Sequence, residues 1–282
     1  MIKYDPPVEA HYHREGLYEK IVNVLNEQGI TKVTRNDLAA VDEFHVRGVA
    51  VSLELAKEAG FDEDSTVLDV GCGIGGPCRM IADEFGCKVT GVDITAEFIR
   101  TAAGLSELVG LQHLTTFIQA DALQLPFEDE LFDAVWTQHV QMNIADKQRF
   151  YSEIKRVLKN RGRFIYYDIF STGNGPLVYP LPWAGDESIS HLITIPELEG
   201  LLAQLGFTKL HTKDQTAAGI EFFTNLLNKI AKDGPPKLGL GLLIGSDAGK
   251  KFSNLLNSLK DGKVELQSGI YRRDVLNDAN LD

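Results

Sequence analysis

Val67-Leu68-Asp69-Val70-Gly71-Cys72-Gly73-Ile74-Gly75-Gly76-Pro77 is the stretch on which the fold turns. A short apolar run carries one acid, Asp69, and four glycines follow within six positions. The run has the length and composition of a buried parallel strand, and the glycines those of the turn that opens the next helix. Without a Cβ, such a turn admits positive φ and lets backbone come very close to a ligand. Gly71, Gly73 and Gly76 satisfy G-x-G-x-x-G, and Asp93 follows about 20 residues on, closing a second strand at Cys87-Lys88-Val89-Thr90-Gly91-Val92-Asp93. That spacing also describes a dinucleotide fingerprint, with the acid on a ribose hydroxyl.

The composition sets outer bounds. With 282 residues, 44% of them hydrophobic, the chain can bury the core of one α/β domain with appendages. A net charge of −12 argues against a nucleic-acid partner, which normally needs a basic face. No stretch approaches about 18 consecutive apolar residues, so no membrane span is expected. Met1-Ile2-Lys3-Tyr4-Asp5-Pro6-Pro7 lacks the apolar centre of a signal peptide. Cys72, Cys78 and Cys87 are odd in number and match no zinc spacing, so they read as free thiols of a reducing compartment. No metal and a cytoplasmic location are therefore expected.

Residues 1–62 show no strand pattern. Helical spacing at Leu17, Ile21, Val24 and Leu25 predicts one helix over 17–26, and Val49, Leu53 and Ala56 a second over 46–59. From residue 66 strands and helices alternate, the pattern of a doubly wound parallel sheet. Strands are predicted near 66–71, 87–93, 114–119, 131–137, 162–170, 207–213 and 264–272. Helices are predicted near 75–85, 95–109, 146–158 and 197–205. Phe222, Phe223, Leu226, Leu227 and Ile230 give residues 215–262 a helical stripe, followed by Gly234-Pro235-Pro236. Gly245-Ser246-Asp247-Ala248-Gly249-Lys250 is a degenerate phosphate loop, better read as Ser246 or Asp247 capping a helix through Leu259.

The glycine turn resembles the first motif of class I S-adenosylmethionine-dependent methyltransferases, in which an acid stands two residues before the first glycine. Asp69 fills that place. The resemblance extends to Asp121 in Gln119-Ala120-Asp121-Ala122, to Leu131-Phe132-Asp133-Ala134-Val135-Trp136, and to Arg156-Val157-Leu158-Lys159-Asn160-Arg161-Gly162-Arg163-Phe164. It covers about 66–170 and implies a Rossmann-like seven-stranded α/β sheet, mostly parallel, whose last strand is antiparallel. Residues 1–62 would be a helical cap, 63–214 the cofactor-binding core, 215–262 a helical insertion and 263–282 the final strand and tail. The same resemblance implies S-adenosylmethionine as cofactor and S-adenosylhomocysteine as its product. Gly71, Cys72 and Gly73 would then approach the methionine part, and Asp93 both ribose hydroxyls. Ile94 would pack on the adenine, Asp121 and the Ala122 N–H would bond it, and Gln138 would meet the methionine end. Asp69 would hold the glycine turn through its N–H groups. The lesser alternatives are that Asp93 only starts the helix at Thr95 and that Asp121 is a turn acid.

Methyl transfer needs alignment and, for a hydroxyl or carbon acid, a general base. His139, in Thr137-Gln138-His139-Val140-Gln141-Met142-Asn143-Ile144, is the candidate catalytic residue. Asp42-Glu43-Phe44-His45 and Tyr179-Pro180-Leu181-Pro182-Trp183, together with that loop, resemble sequences of the sarcosine/dimethylglycine N-methyltransferases. This resemblance implies a small-molecule acceptor met by Tyr12, Phe44, His45, Met142, Tyr179 and Trp183, with Arg47 as a partner for a substrate carboxylate. An O- or C-methyltransferase of a quinone, sterol or natural product, and a cofactor-binding protein without transfer, are the competing readings. A homodimer is the candidate assembly. Arg79 and Cys78 read as packing and surface.

Overall fold

In the computed structural model, residues 6–274 are described; the tail beyond them and residues 1–5 of the expected cap lie outside the described residues. Seven strands, β1 (Thr66–Val70), β2 (Lys88–Asp93), β3 (Thr115–Gln119), β4 (Phe132–Gln138), β5 (Leu158–Ser171), β6 (Phe207–Asp214) and β7 (Val264–Arg273), form one sheet. Their order is β3-β2-β1-β4-β5-β7-β6. Pairs among β1 to β5 are parallel, and β7 runs antiparallel between β5 and β6. This is the Rossmann-like class I methyltransferase sheet that the alternation and the motifs predict.

The two-residue period of the strands divides the core. Along β5, Ile165, Tyr167 and Ile169 point into one apolar cluster, while Phe164, Tyr166 and Phe170 point into the other. Both faces of the sheet are therefore covered, as a parallel sheet requires. From β1 the chain turns first toward β2 and β3, then crosses back to β4 and β5. The crevice at that reversal, beyond the carboxyl ends of β1 and β4, is where such a sheet binds its ligands.

Eleven α-helices are present among the described residues: α1 (Pro6–Tyr12), α2 (Leu17–Glu27), α3 (Arg35–Asp42), α4 (Val49–Ala59), α5 (Gly76–Phe85), α6 (Ala96–Leu108), α7 (Lys147–Val157), α8 (Ile195–Gln204), α9 (Thr216–Asp233), α10 (Gly241–Ile244) and α11 (Ala248–Lys260). None is long and apolar enough to cross a membrane. The expected helix over 46–59 starts only at Val49, because Arg47 and Gly48 take positive φ (71° and 57°) and the Gly48 N–H turns back to the His45 carbonyl. Three helices, α1, α3 and α10, are not predicted as separate elements. α3 is announced instead by its ends: Thr34 and Asp37 form a capping box, with the Thr34 N–H 2.8 Å from Asp37 Oδ2. At α11, neither Ser246 nor Asp247 caps the helix; the Asp247 carboxylate pairs with Lys251 at 3.0 Å. β5 begins four residues earlier than expected, pairing Leu158 with Phe132 before a register shift brings Arg163 opposite Ala134.

Candidate functional site

The glycine loop is folded by its own backbone. Gly71 and Cys72 both donate to the Val92 carbonyl (2.8 and 3.0 Å), and Gly75 N–H closes on Cys72 O at 2.9 Å. Gly71 and Gly73 sit at φ 76° and 53°, where a side chain is strained. Their surroundings differ. A Cβ on Gly71 would lie 2.4 Å from Val140 Cγ2, whereas one on Gly73 would meet nothing within 4 Å. Gly73 therefore presents bare backbone to a cavity.

Asp93, at the end of β2, latches that backbone. Its Oδ2 accepts the Gly73 N–H at 3.0 Å and its Oδ1 the Thr95 N–H at 2.8 Å, so the reading as the start of α6 and a place at the glycine loop coexist. Burial raises its carboxyl above the ordinary range against the pull of these backbone donors. Asp121 closes its own turn by accepting the Leu123 N–H at 2.8 Å, and Ala120 N–H reaches the Asp93 carbonyl at 3.0 Å, tying the ends of β2 and β3 together. Each carboxylate has lone pairs left over.

Two expectations need correction here. Asp69 does not hold the glycine N–H groups: those of Gly71, Gly73 and Gly75 go to Val92, Asp93 and Cys72. It is buried, accepts the Cys78 thiol at 3.2 Å, and is pushed up to about 7 by that burial. Cys72, buried beside it, is pushed up to about 11. Arg79 is not a surface residue. It is 0% exposed and donates to both Asp42 oxygens (2.6 and 3.2 Å) and to the Ile74 carbonyl (2.7 Å), pinning the loop to the end of α3. Gly76 is the contact point: a Cβ there would lie 1.9 Å from the Asp42 carbonyl oxygen.

A cavity of about 280 Å³ opens over this loop. Asp69, Gly71, Cys72, Gly73, Asp93, Ile94, Asp121, Ala122 and Gln138 all line it, as do His139, Tyr12, Phe44, His45, Met142 and Trp183. Tyr179 is not among the lining residues; it packs half-buried against the larger apolar cluster. Arg47 is absent from the wall too, because its guanidinium grips Glu54 (2.8 and 3.1 Å) and Gln215 (2.9 Å).

The far wall is closed by contacts between distant segments. Asn143 Nδ2 donates to the carbonyls of Trp183 (2.9 Å) and Ile189 (2.8 Å), and its Oδ1 accepts the Tyr12 hydroxyl at 2.9 Å. His11 Nε2 lies 3.1 Å from the Pro182 carbonyl, and Arg14 donates to Ile244 O at 2.9 Å. His13 is exposed. The first helix thus folds Tyr12 over the cavity. Phe222, Phe223, Leu240, Leu243, Phe252 and Leu255, from 215–262, line the same cavity. Asn143 and this apolar group were not among the expected site residues. The aromatic pair Phe222-Phe223 was the visible signal for the second; nothing local signals the first.

His139 holds φ 53°, with its N–H on the Tyr167 carbonyl at 2.9 Å. Its ring lies 5.1 Å from the Tyr167 ring and 6.4 Å from the His45 ring. Burial first, and His45 second, hold its pKa well below the usual 6.5. Its Nε2 is buried without a hydrogen-bond partner. His45, by contrast, is committed: its Nε2 lies 2.8 Å from Ser52 Oγ and 3.0 Å from the Gly48 carbonyl, and Ser52 continues to Gln138 Oε1 at 3.2 Å.

Residues 68–166 match the family model described as a methyltransferase domain. Among curated proteins, a sterol 24-C-methyltransferase of Pneumocystis carinii is 34% identical over 168 residues, covering 57% of this chain and 44% of the relative. The sarcosine/dimethylglycine N-methyltransferase of Halorhodospira halochloris is 29% identical over 153 residues, covering 54% of this chain and 55% of the relative. The chain thus spans about half the length of these curated relatives. Among solved structures, a putative sarcosine dimethylglycine methyltransferase from Galdieria sulphuraria superposes with TM-score 0.65 at 19% identity, over 80% of this chain and 85% of that one.

Proposed function

We propose that this chain is a class I S-adenosylmethionine-dependent methyltransferase and transfers a methyl group from that cofactor to a small molecule. The observation that carries the reading is the Gly73–Asp93 latch. It sets bare backbone and a carboxylate side by side on a cavity whose wall also holds Ile94 and Asp121. That donor set fits an adenosyl amino acid: a carboxylate for a vicinal diol, an apolar side chain and a second acid for the purine, and a glycine turn for the amino-acid tail. Bound there, the cofactor would supply an electrophilic methyl carbon on a sulfonium whose leaving form is a neutral thioether.

The chain's own residues supply alignment, desolvation and a proton acceptor. Positioning of this kind draws roughly 7–11 kcal/mol from a barrier in well-oriented cases. Tyr12, Phe44 and Trp183 exclude water from the acceptor's side. His139, neutral at physiological pH because its pKa is lowered, takes the proton of an acceptor hydroxyl as the new bond forms. N-methylation of sarcosine or dimethylglycine would need a cation for the acceptor's carboxylate. Arg47 is already held by Glu54 and Gln215, which favours an O- or C-methyl acceptor.

Calorimetric titration of S-adenosylhomocysteine tests the reading. The folded protein is expected to bind it, and Asp93→Ala to weaken binding by about 10- to 100-fold, the weight of a hydrogen bond to a charged group. A folded sample that gives no heat overturns the proposal.

A further inference from the structure

We infer that the acceptor is an uncharged, predominantly apolar molecule that presents one hydroxyl to His139. The inference rests on the cofactor reading above and concerns the rest of the same cavity.

Charge is the first argument. Among the described residues, Asp42, Asp69, Asp93, Asp121 and Asp146 line the cavity, and no lysine or arginine does. An acceptor carboxylate or phosphate placed against the insertion side, whose lining is Phe222, Phe223, Leu240, Leu243, Phe252 and Leu255, would lose its hydration and gain no cation there, an expensive exchange in an apolar site. Arg14 and Lys251 instead donate to the Ile244 carbonyl, each at 2.9 Å.

Shape and polarity are the second. Three separate helices, α9, α10 and α11, contribute only aromatic and branched aliphatic side chains to the wall: Phe222, Phe223, Leu243, Phe252 and Leu255 among them. Such a surface, buried against Val46, Met142 and Ile169, gains by covering hydrocarbon, at about 25 cal/mol per Å² removed from water.

His139 is the third. The other polar side chains of this wall have partners: Tyr12 on Asn143, Asn143 on Trp183 and Ile189, His45 on Ser52. His139 has an unmet Nε2, and no side-chain hydrogen bond of its ring is found among the described residues. A neutral imidazole carries one donor and one acceptor. A hydroxyl can meet Nε2 in either tautomer, donating to the bare nitrogen or accepting from its N–H, whereas an ammonium suits only the first and a carboxylate only the second.

The test reads binding and needs no turnover. The full chain, loaded with S-adenosylhomocysteine, is titrated with the neutral apolar fluorophore N-phenyl-1-naphthylamine, and competitors on one ring system then displace it. Saturable emission is expected. 2-Naphthol is expected to displace the fluorophore at least about tenfold better than 2-naphthoate, which must shed the hydration of its charge. Dimethylglycine is expected not to displace it. Phe222→Lys, on α9, and Leu240→Lys, at the turn before α10, are expected to weaken the fluorophore and narrow the gap between naphthol and naphthoate; melting curves show which of the two folds as the parent does. His139→Phe is expected to weaken 2-naphthol while leaving the fluorophore bound. Absence of saturable emission, equal displacement by naphthoate, or displacement by dimethylglycine overturns the inference. Calorimetry with S-adenosylhomocysteine on the same sample keeps the two readings apart. Heat without fluorophore binding sinks the acceptor class alone, whereas fluorophore binding without heat sinks the cofactor.

Discussion

The glycine-loop side and the insertion side of the cavity are built in opposite ways. On the first, the connecting bonds are short in sequence: Gly73 to Asp93 spans 20 positions and Gln119 to Ile94 spans 25, and most partners are backbone. On the second, Asn143 joins Tyr12 across 131 positions, and Arg14 reaches Ile244 across 230. Two consecutive βαβ units, β1 to β3, hold the bonds of the first side. The second exists only when both ends of the chain have closed on the sheet. The glycine-loop half is therefore a property of a motif, and the insertion half a property of the complete fold.

Substitutions can break that contrast. The largest effect is expected at Arg79, whose side chain ties the motif to α3. Arg79→Met leaves Asp42 buried without its partner and should cost about 3–5 kcal/mol in urea unfolding, with much of this recovered in the double variant carrying Asp42→Leu. A loss well below 1 kcal/mol would show that the pair is not the anchor. Next in size is Gly76→Ala, which forces a methyl group against the Asp42 carbonyl and should cost about 1–3 kcal/mol.

Tyr12→Phe sharpens the comparison from the other side. It removes one hydrogen bond to Asn143 and should cost about 1 kcal/mol of stability. Affinity for S-adenosylhomocysteine should stay within about a factor of two, since the residue belongs to the other half of the cavity. A larger fall would mean that the halves are coupled.

The smallest effect lies in pH. A histidine whose folded pKa is depressed contributes stability that is present above the ordinary value of 6.5 and is lost as pH falls below it. Between pH 7 and 5.5 the parent protein should therefore lose more stability than His139→Phe, as melting temperatures would record. Asp168, buried where it accepts the N–H groups of Val140, Gln141 and Ile169, is raised to about 6. Its effect runs the other way, with stability lost as pH rises through that value. It is common to both proteins, so the difference isolates His139. Identical pH slopes would contradict the lowered pKa.

What could be read in advance follows the same division. The short apolar runs, the strand–helix alternation and the family motifs located all seven strands: β1, β4 and β5, buried on both faces, leave little choice of composition, whereas β6, exposed along most of its length, was placed by where the family ends its sheet. Asp93 and Asp121 were legible because a strand end is a fixed place in this sheet. The role of Asp69 was not, since only the packing of Cys78 beneath the loop decides where its carboxylate turns. Arg79 looked like any helix arginine until α3, signalled only by Thr34 and Asp37, was laid across it. Tyr179 and Arg47 were placed by local chemistry, an aromatic between prolines and a cation beside a histidine. Their actual partners, the apolar cluster around Tyr179 and the Glu54–Gln215 pair around Arg47, depend on tertiary closure.

The central claim is that one cavity holds an adenosyl group on its motif side and an apolar acceptor on the other. A crystal structure of the full chain grown with S-adenosylhomocysteine tests it most directly. The account requires the ribose on Asp93, the purine between Ile94 and Asp121, and the thioether sulfur facing the space bounded by His139, Tyr12 and Phe222. A ligand whose ribose lies away from Asp93, or whose sulfur points toward bulk solvent, would contradict it.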